Sequence, residues 1–267
     1  MKIADVVAKG MGMPRWMMAL AGLLVLMLPA TIEARETGFL NRVLSLDEQP
    51  HRYVVYVPAD QPSRGLPIIL ALHGSGERGA DGLAPTDVGL GHAIRLHPER
   101  FPAIVVFPQV RAGSNWLDQR RLALATLASA QREFGADPKR VYAVGLSMGG
   151  NGAWALAHDD PGRFAAIVVV CGFVGPLHGF PGIMPAGQPD PYAALAHSIG
   201  TLPVWIVHGD ADPVVPVSES RQMAAELKTL GGNVRYNELP GVGHNAWDTA
   251  FADPELPVWL FKQRRHE

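Results

Sequence analysis

Several things are scarce in this sequence. There is one cysteine, Cys171, in 267 residues, so no disulfide can form within the chain and stability has to come from a buried core. Charge is sparse as well: 18% of residues are Asp, Glu, Lys or Arg, and the formal net charge is −2. Without a basic patch there is no electrostatic case for nucleic acid as a partner. From residue 39 onward the sequence has no internal repeat, long linker or low-complexity block, which predicts one domain. The uncharged stretch 16–30 holds about fifteen apolar residues, fewer than the roughly twenty a spanning helix needs. It follows Lys2, Lys9 and Arg15 and precedes the small residue Ala34. That pattern predicts a secretory signal over residues 1–34, a single catalytic domain over 35–267, and a secreted or periplasmic protein with no stable membrane insertion after cleavage. No cysteine near the cleavage region offers a lipid attachment point.

What is plentiful is apolar surface, at 48% hydrophobic residues, enough for a sizeable core. Strand-like and helix-like segments alternate. The runs 39–46 and 52–57 read as an antiparallel pair around a turn near Pro50. Six further runs, 68–72, 103–107, 141–144, 165–170, 204–207 and 234–238, are nearly continuous in apolar, β-branched residues, as in a parallel sheet buried on both faces. Helices are expected over 122–134, stopping at Gly135, over 218–230, stopping at Gly231-Gly232, and over 257–265. Arg264 and Arg265 would then complement the negative end of the last helix dipole. The stretch 174–191 is rich in Gly and Pro and cannot hold a long helix; it reads as a substrate-shaping loop or an inert connection. A large helical lid is not expected.

Four motifs fall where an expected strand gives way to a loop, the edge at which open α/β sheets bind ligands. His73-Gly74-Ser75-Gly76-Glu77-Arg78-Gly79 follows the third strand and Gly145-Leu146-Ser147-Met148-Gly149 the fifth. His208-Gly209-Asp210-Ala211-Asp212-Pro213 follows the seventh, and Gly243-His244-Asn245-Ala246-Trp247 the eighth. Gly-x-Ser-x-Gly between a strand and a small-residue helix is a nucleophile elbow, and the order oxyanion loop, Ser, acid, His is that of an α/β-hydrolase. A serine hydroxyl needs a base to take its proton and a carboxylate to hold that base in the right tautomer. Ser147, His244 and Asp212 fit those roles. Asp212 is preferred to Asp210 because it lies farther into the loop, before the Pro213 turn, leaving Asp210 to cap the turn. The oxyanion would be held by the amide of Met148 and that of Ser75, with Gly76 as the alternative.

Other residues read more plainly. Trp116 and Trp247 fall in expected loops near the site, either as aromatic substrate walls or as packing. His73 and His208 read as partly buried structural residues; His92, His97, His158 and His266 read as surface residues. Cys171 closes an apolar run and reads as a buried small hydrophobe. Glu77 and Arg78 would brace their loop as an ion pair or stay solvated. Asp210 and Asp212 have no companion His/Cys cluster at ligand spacing, so no metal site is expected.

At these four motifs the chain resembles the secreted, lid-poor α/β-hydrolases grouped around feruloyl and acetylxylan esterases, polyhydroxybutyrate depolymerase-like proteins and related predicted peptidases. The resemblance covers residues 39–263. It implies an α/β-hydrolase fold with a mostly parallel eight-stranded sheet and helices on both faces. It further implies hydrolysis of small-molecule or polymer-linked carboxylic esters through an acyl-enzyme, without a cofactor. A small serine peptidase is the nearest alternative, and a noncatalytic binding protein on the same fold the next. The single cysteine departs from extracellular members that carry disulfides.

Overall fold

Apolar β-branched runs become strands wherever both faces can be covered, and here they build one eight-stranded sheet. The computed structural model describes residues 36–265 apart from 60 and 63; the expected signal segment 1–34 and His266 lie outside the described residues. The strands are β1 (Gly38–Leu46), β2 (Gln49–Val57), β3 (Ile68–Leu72), β4 (Ile104–Pro108), β5 (Val141–Leu146), β6 (Ala166–Val170), β7 (Val204–Gly209) and β8 (Val234–Leu239). Their order is β1-β2-β4-β3-β5-β6-β7-β8. β2 is antiparallel to both β1 and β4, and all other pairs are parallel. The first hairpin turns at Asp47 and Glu48, both with positive φ (51° and 62°), as a two-residue hairpin that follows the strand twist requires. Pro50, expected at the turn, pairs with Ser45 inside the ladder instead.

The helices are α1 (Leu90–Leu96), α2 (Arg120–Phe134), α3 (Met148–Asp159), α4 (Pro191–Ile199), α5 (Ser218–Thr229), α6 (Ala246–Ala252) and α7 (Glu255–Lys262). Alternate strand residues feed two cores. Ile68, Leu70, Val141 and Ile206 pack with Leu127, Trp154, Leu195 and Met223 of α2 to α5. Ile69, Tyr142, Val168 and Trp205 pack with Ile94, Phe251 and Leu260 of α1, α6 and α7 on the other face. Each aliphatic side chain so buried is worth about 1.5–3 kcal/mol. No helix among the described residues is long and apolar enough to cross a membrane.

The last helix departs from its expected bounds. Gln263 turns extended (φ −77°, ψ 138°), so Arg264 and Arg265 lie beyond α7 rather than at its dipole. Arg264 pairs with Asp137 at 3.0 Å, and Arg265 donates from its amide to the Lys139 carbonyl.

Register brings the functional ends level. Leu72 sits opposite Gly145, Leu146 opposite Val170, Val170 opposite Val207, and Gly209 opposite Leu239. The motif-bearing loops therefore leave the sheet along one edge.

Candidate active site

β5 runs directly into Ser147, which has φ 53° and ψ −120° and precedes the first residue of α3. A non-glycine residue in that region carries strain that the surroundings must hold in place. They leave little slack: a Cβ on Gly145 would lie 2.0 Å from the Gly149 carbonyl oxygen, and one on Gly149 would lie 2.0 Å from the Leu72 carbonyl oxygen. Both motif glycines are steric requirements of a strand and helix this close. Ser147 is 8% exposed.

Two loops reach it from β7 and β8. His244 Nε2 lies 2.9 Å from Ser147 Oγ, and His244 Nδ1 lies 2.7 Å from Asp212 Oδ2. The serine hydroxyl can donate to Nε2 while Nδ1–H donates to the carboxylate, which selects one tautomer of the ring. The Asp212 side chain is fully buried, and its Oδ1 accepts from the amides of Val214 and Val215 at 2.8 and 2.9 Å. Burial alone would raise its pKa; the bonds from His244, Val215 and Val214 outweigh burial and hold the carboxyl below the usual carboxylate range. Asp210 points elsewhere and accepts from the Gly241 amide at 2.7 Å, tying the β7 loop to the turn after β8.

The loop after β3 lies beside the serine. A Cβ on Gly74 would sit 3.6 Å from Ser147 Cβ. Ser75 to Glu77 make one 3₁₀ turn, and the amides of Ser75 and Gly76 both sit in it. The amide of Met148 belongs to the first turn of α3, where a helix leaves its donors without intrahelical acceptors. Glu77 and Arg78 form no ion pair among the described residues. Arg78 instead donates to the carbonyls of Ser75 (2.9 Å) and Ser114 (3.4 Å), and burial pushes the Glu77 pKa up.

Trp116 is not a substrate wall. It is 1% exposed, stands edge-on to His73, and donates its indole N–H to the His73 carbonyl at 2.9 Å. The polar loop around it disguises a core residue. His73 is buried as read, with Nδ1 2.6 Å from the Gly74 carbonyl and Nε2 accepting from the Val110 amide. Burial pushes its pKa down to about 4. Trp247 lies in the first turn of α6 rather than in a loop, half-buried, with its ring perpendicular to His244 at 5.4 Å. It borders a cavity of about 230 Å³ shared with Gly89, His92 and Phe251.

Some contacts escape the sequence reading. Cys171, buried with φ 41°, brings its sulfur within 4.8 Å of ligand atoms of Asp212 and His244, and burial pushes the thiol far up, keeping it protonated. Glu219 of α5 accepts from the amides of Val174 and Gly175, and Asn151 donates to the Phe173 carbonyl, so the Gly/Pro-rich stretch is anchored at its base. His208 reaches Asp212, a contact that its four-residue spacing from that acid could have suggested.

The Dienelactone hydrolase family model matches residues 112–255, more than half of the chain, including Ser147, Asp212 and His244. A solved thermostable esterase superposes with a TM-score of 0.71 at 29% identity, over 85% of this chain and 63% of that protein. The feruloyl esterase module from Clostridium thermocellum complexed with sinapinate superposes with a TM-score of 0.67 at 16% identity, over 86% of this chain and 89% of the other. That likeness speaks for the α/β-hydrolase fold. Esterase LipQ of Mycobacterium tuberculosis is 39% identical over 71 residues, 26% of this chain and 16% of LipQ. The matches span 16 to 28% of the curated relatives' own lengths. Because the family model spans more than half of the chain, the chain belongs to the dienelactone hydrolase family.

Proposed function

We propose that this protein is a carboxylic ester hydrolase that works through an acyl-enzyme on Ser147. The observation that carries the reading is the continuous hydrogen-bond chain Ser147 Oγ to His244 Nε2 (2.9 Å) and His244 Nδ1 to Asp212 Oδ2 (2.7 Å). In this mechanism His244 takes the hydroxyl proton as Ser147 attacks the ester carbonyl, Asp212 stabilises the imidazolium, and the proton then passes to the departing alcohol. Water repeats the sequence to release the acid. The amides of Met148 and of Ser75 or Gly76 hold the oxyanion, a donor set in which one loss costs roughly 3–4 kcal/mol.

The stretch 174–191 shapes the substrate side. It borders a cavity of about 480 Å³ lined by Val174, Pro176, Pro181 and Met184, and Phe180 stands against Arg78 of the oxyanion loop. The Phe180–Arg78 contact, which sets this stretch against the oxyanion loop, supports an ester with an apolar or aromatic acyl group, free or on a polymer.

The test combines fluorophosphonate labelling with turnover of aryl esters of graded acyl length, feruloylated and acetylated substrates, and peptides. Wild-type protein should label and cleave esters. Ser147→Ala should abolish labelling and lower turnover by roughly 10⁶ while remaining folded. Normal labelling in that variant would sink the assignment, and preferential cleavage of peptides would move the protein to the peptidase alternative.

A further inference from the structure

Two imidazoles approach Asp212, and the mechanism above uses one. His208, near the end of β7, is 0% exposed. Its Nε2 lies 3.0 Å from the Val215 carbonyl and 3.2 Å from Asp212 Oδ2, and its Nδ1 lies 2.7 Å from Ser220 Oγ on α5. Both neighbours of Nε2 are acceptors, so Nε2 carries a proton. A neutral ring then leaves Nδ1 to accept from the Ser220 hydroxyl. Burial favours that neutral ring by lowering its pKa.

The result is a closed circuit. Asp212 Oδ2 has the His244 N–H at 2.7 Å on one side and, on the other, His208 Nε2 at 3.2 Å, whose single proton is shared with the Val215 carbonyl. Val215 is held twice, its amide by Asp212 and its carbonyl by His208. A buried histidine ordinarily has both nitrogens satisfied; what sets His208 apart is that one of them lies beside the acid of the hydrogen-bond chain.

We propose that His208 is a positioning residue: its Nε2–H fixes the Asp212 carboxylate in the orientation that faces His244, and Ser220 fixes His208 in the tautomer that can do so. This rests on the hydrolase reading. Without His208, Oδ1 stays tied to the amides of Val214 and Val215 but Oδ2 loses its second neighbour and the Val215 carbonyl its anchor; the carboxylate would then hold the imidazole less well, and misplacement on the scale of an ångström costs up to about 10² in rate.

The test is steady-state kinetics of the full chain, with active sites titrated by fluorophosphonate so that only folded, competent protein is counted. His208→Leu should lower kcat per titrated site roughly 10- to 100-fold with KM within about twofold. His208→Gln, which returns an N–H near the Nε2 position, should recover most of kcat. If His208→Leu does not fold, Ser220→Ala takes its place, with several-fold lower kcat and KM again within about twofold. Full kcat per site in the variant tested, or equal losses in Leu and Gln, overturns the proposal. Wild-type protein that neither labels nor cleaves esters overturns the hydrolase reading itself, and this one with it.

Discussion

The dipeptide His-Gly ends two strands of this sheet, β3 and β7, and the two copies make an instructive pair. In each, the histidine is buried and bonds to the loop beyond its strand and to one further segment, His73 to Gly74 and to Val110 after β4, His208 to Val215 and to Ser220 of α5. In each, the glycine makes room for another loop of the site. Gly74 lies against the elbow, where its missing Cβ would meet Leu146 and Ser147; Gly209 lies under the β8 loop, where a Cβ would fall 2.1 Å from the Val242 carbonyl oxygen. The difference is what the ring touches. His73 braces backbone alone, while His208 also meets the carboxylate that serves His244. The same two residues, placed three strands apart, act as scaffold in one place and as part of the proposed machinery in the other.

Substitutions at the β7 end should therefore hurt turnover more than those at the β3 end. The largest effect is expected within the β7 loop. Asp212→Asn should lower turnover by about 10⁴, because His244 can then take the wrong tautomer, whereas Asp210→Asn should cost on the order of 1 kcal/mol of stability and little activity. Reversal of the two phenotypes in turnover and melting measurements would exchange the two carboxylates. Next come the glycines. Gly209→Ala forces a methyl into backbone oxygens of Val242 and Gly243 that cannot yield cheaply, and should cost about 3 kcal/mol and roughly 10² in kcat by shifting the His244 loop. Gly74→Ala meets the movable ends of Leu146 and Glu77 at 2.9 and 3.1 Å and should cost about 1 kcal/mol; equal damage from both would erase the contrast.

The third prediction isolates His73. Its pKa is about 4 in the folded protein, against 6.5 for a free imidazole, so between those values the unfolded chain binds the extra proton and stability rises with pH. Its contribution is complete above about pH 6.5 and is lost as pH falls toward 4, a change of about 3 kcal/mol. Denaturant unfolding from pH 4 to 7 should show this slope in wild type, and His73→Gln should flatten it. The smallest effect belongs to Cys171, at the end of the intervening strand β6. Its thiol should resist aromatic disulfide reagents in the native state and react after unfolding, with Cys171→Ala keeping turnover within a few-fold. Rapid native labelling with loss of activity would give that sulfur a larger part.

Long elements and terminal motifs were legible in the sequence for physical reasons. A strand buried on both faces is apolar along its length, as β3, β4 and β6 are and as β7 is up to His208, and α2 and α5 are long enough to show a period and stop within two residues of a glycine. Helices α1 and α6 have seven residues each, too few for a period to stand out, so Trp247 read as a loop residue. Trp116 was ambiguous because its neighbours are polar while its own indole turns under His73. Asp212 and Asp210 could be told apart by distance from the strand; the four-residue spacing of His208 from Asp212 hints at their contact, but its geometry depends on the path of residues 209–215, which local composition does not encode.

Heat should act on this site in two stages. Ser147, Asp212 and His244 hang from β5, β7 and β8, which β6 joins in one continuous ladder, and neighbouring strands stand about 4.8 Å apart whatever the loops do. The spacing of the reacting groups is thus a property of the sheet, and bond-breaking capacity should persist until the sheet itself melts in a cooperative transition. The stretch 174–191 has no such ladder beneath it and can open at lower temperature. On warming, the acyl discrimination proposed for that stretch should loosen first, while the rate on a small, undemanding ester holds until the fold is lost.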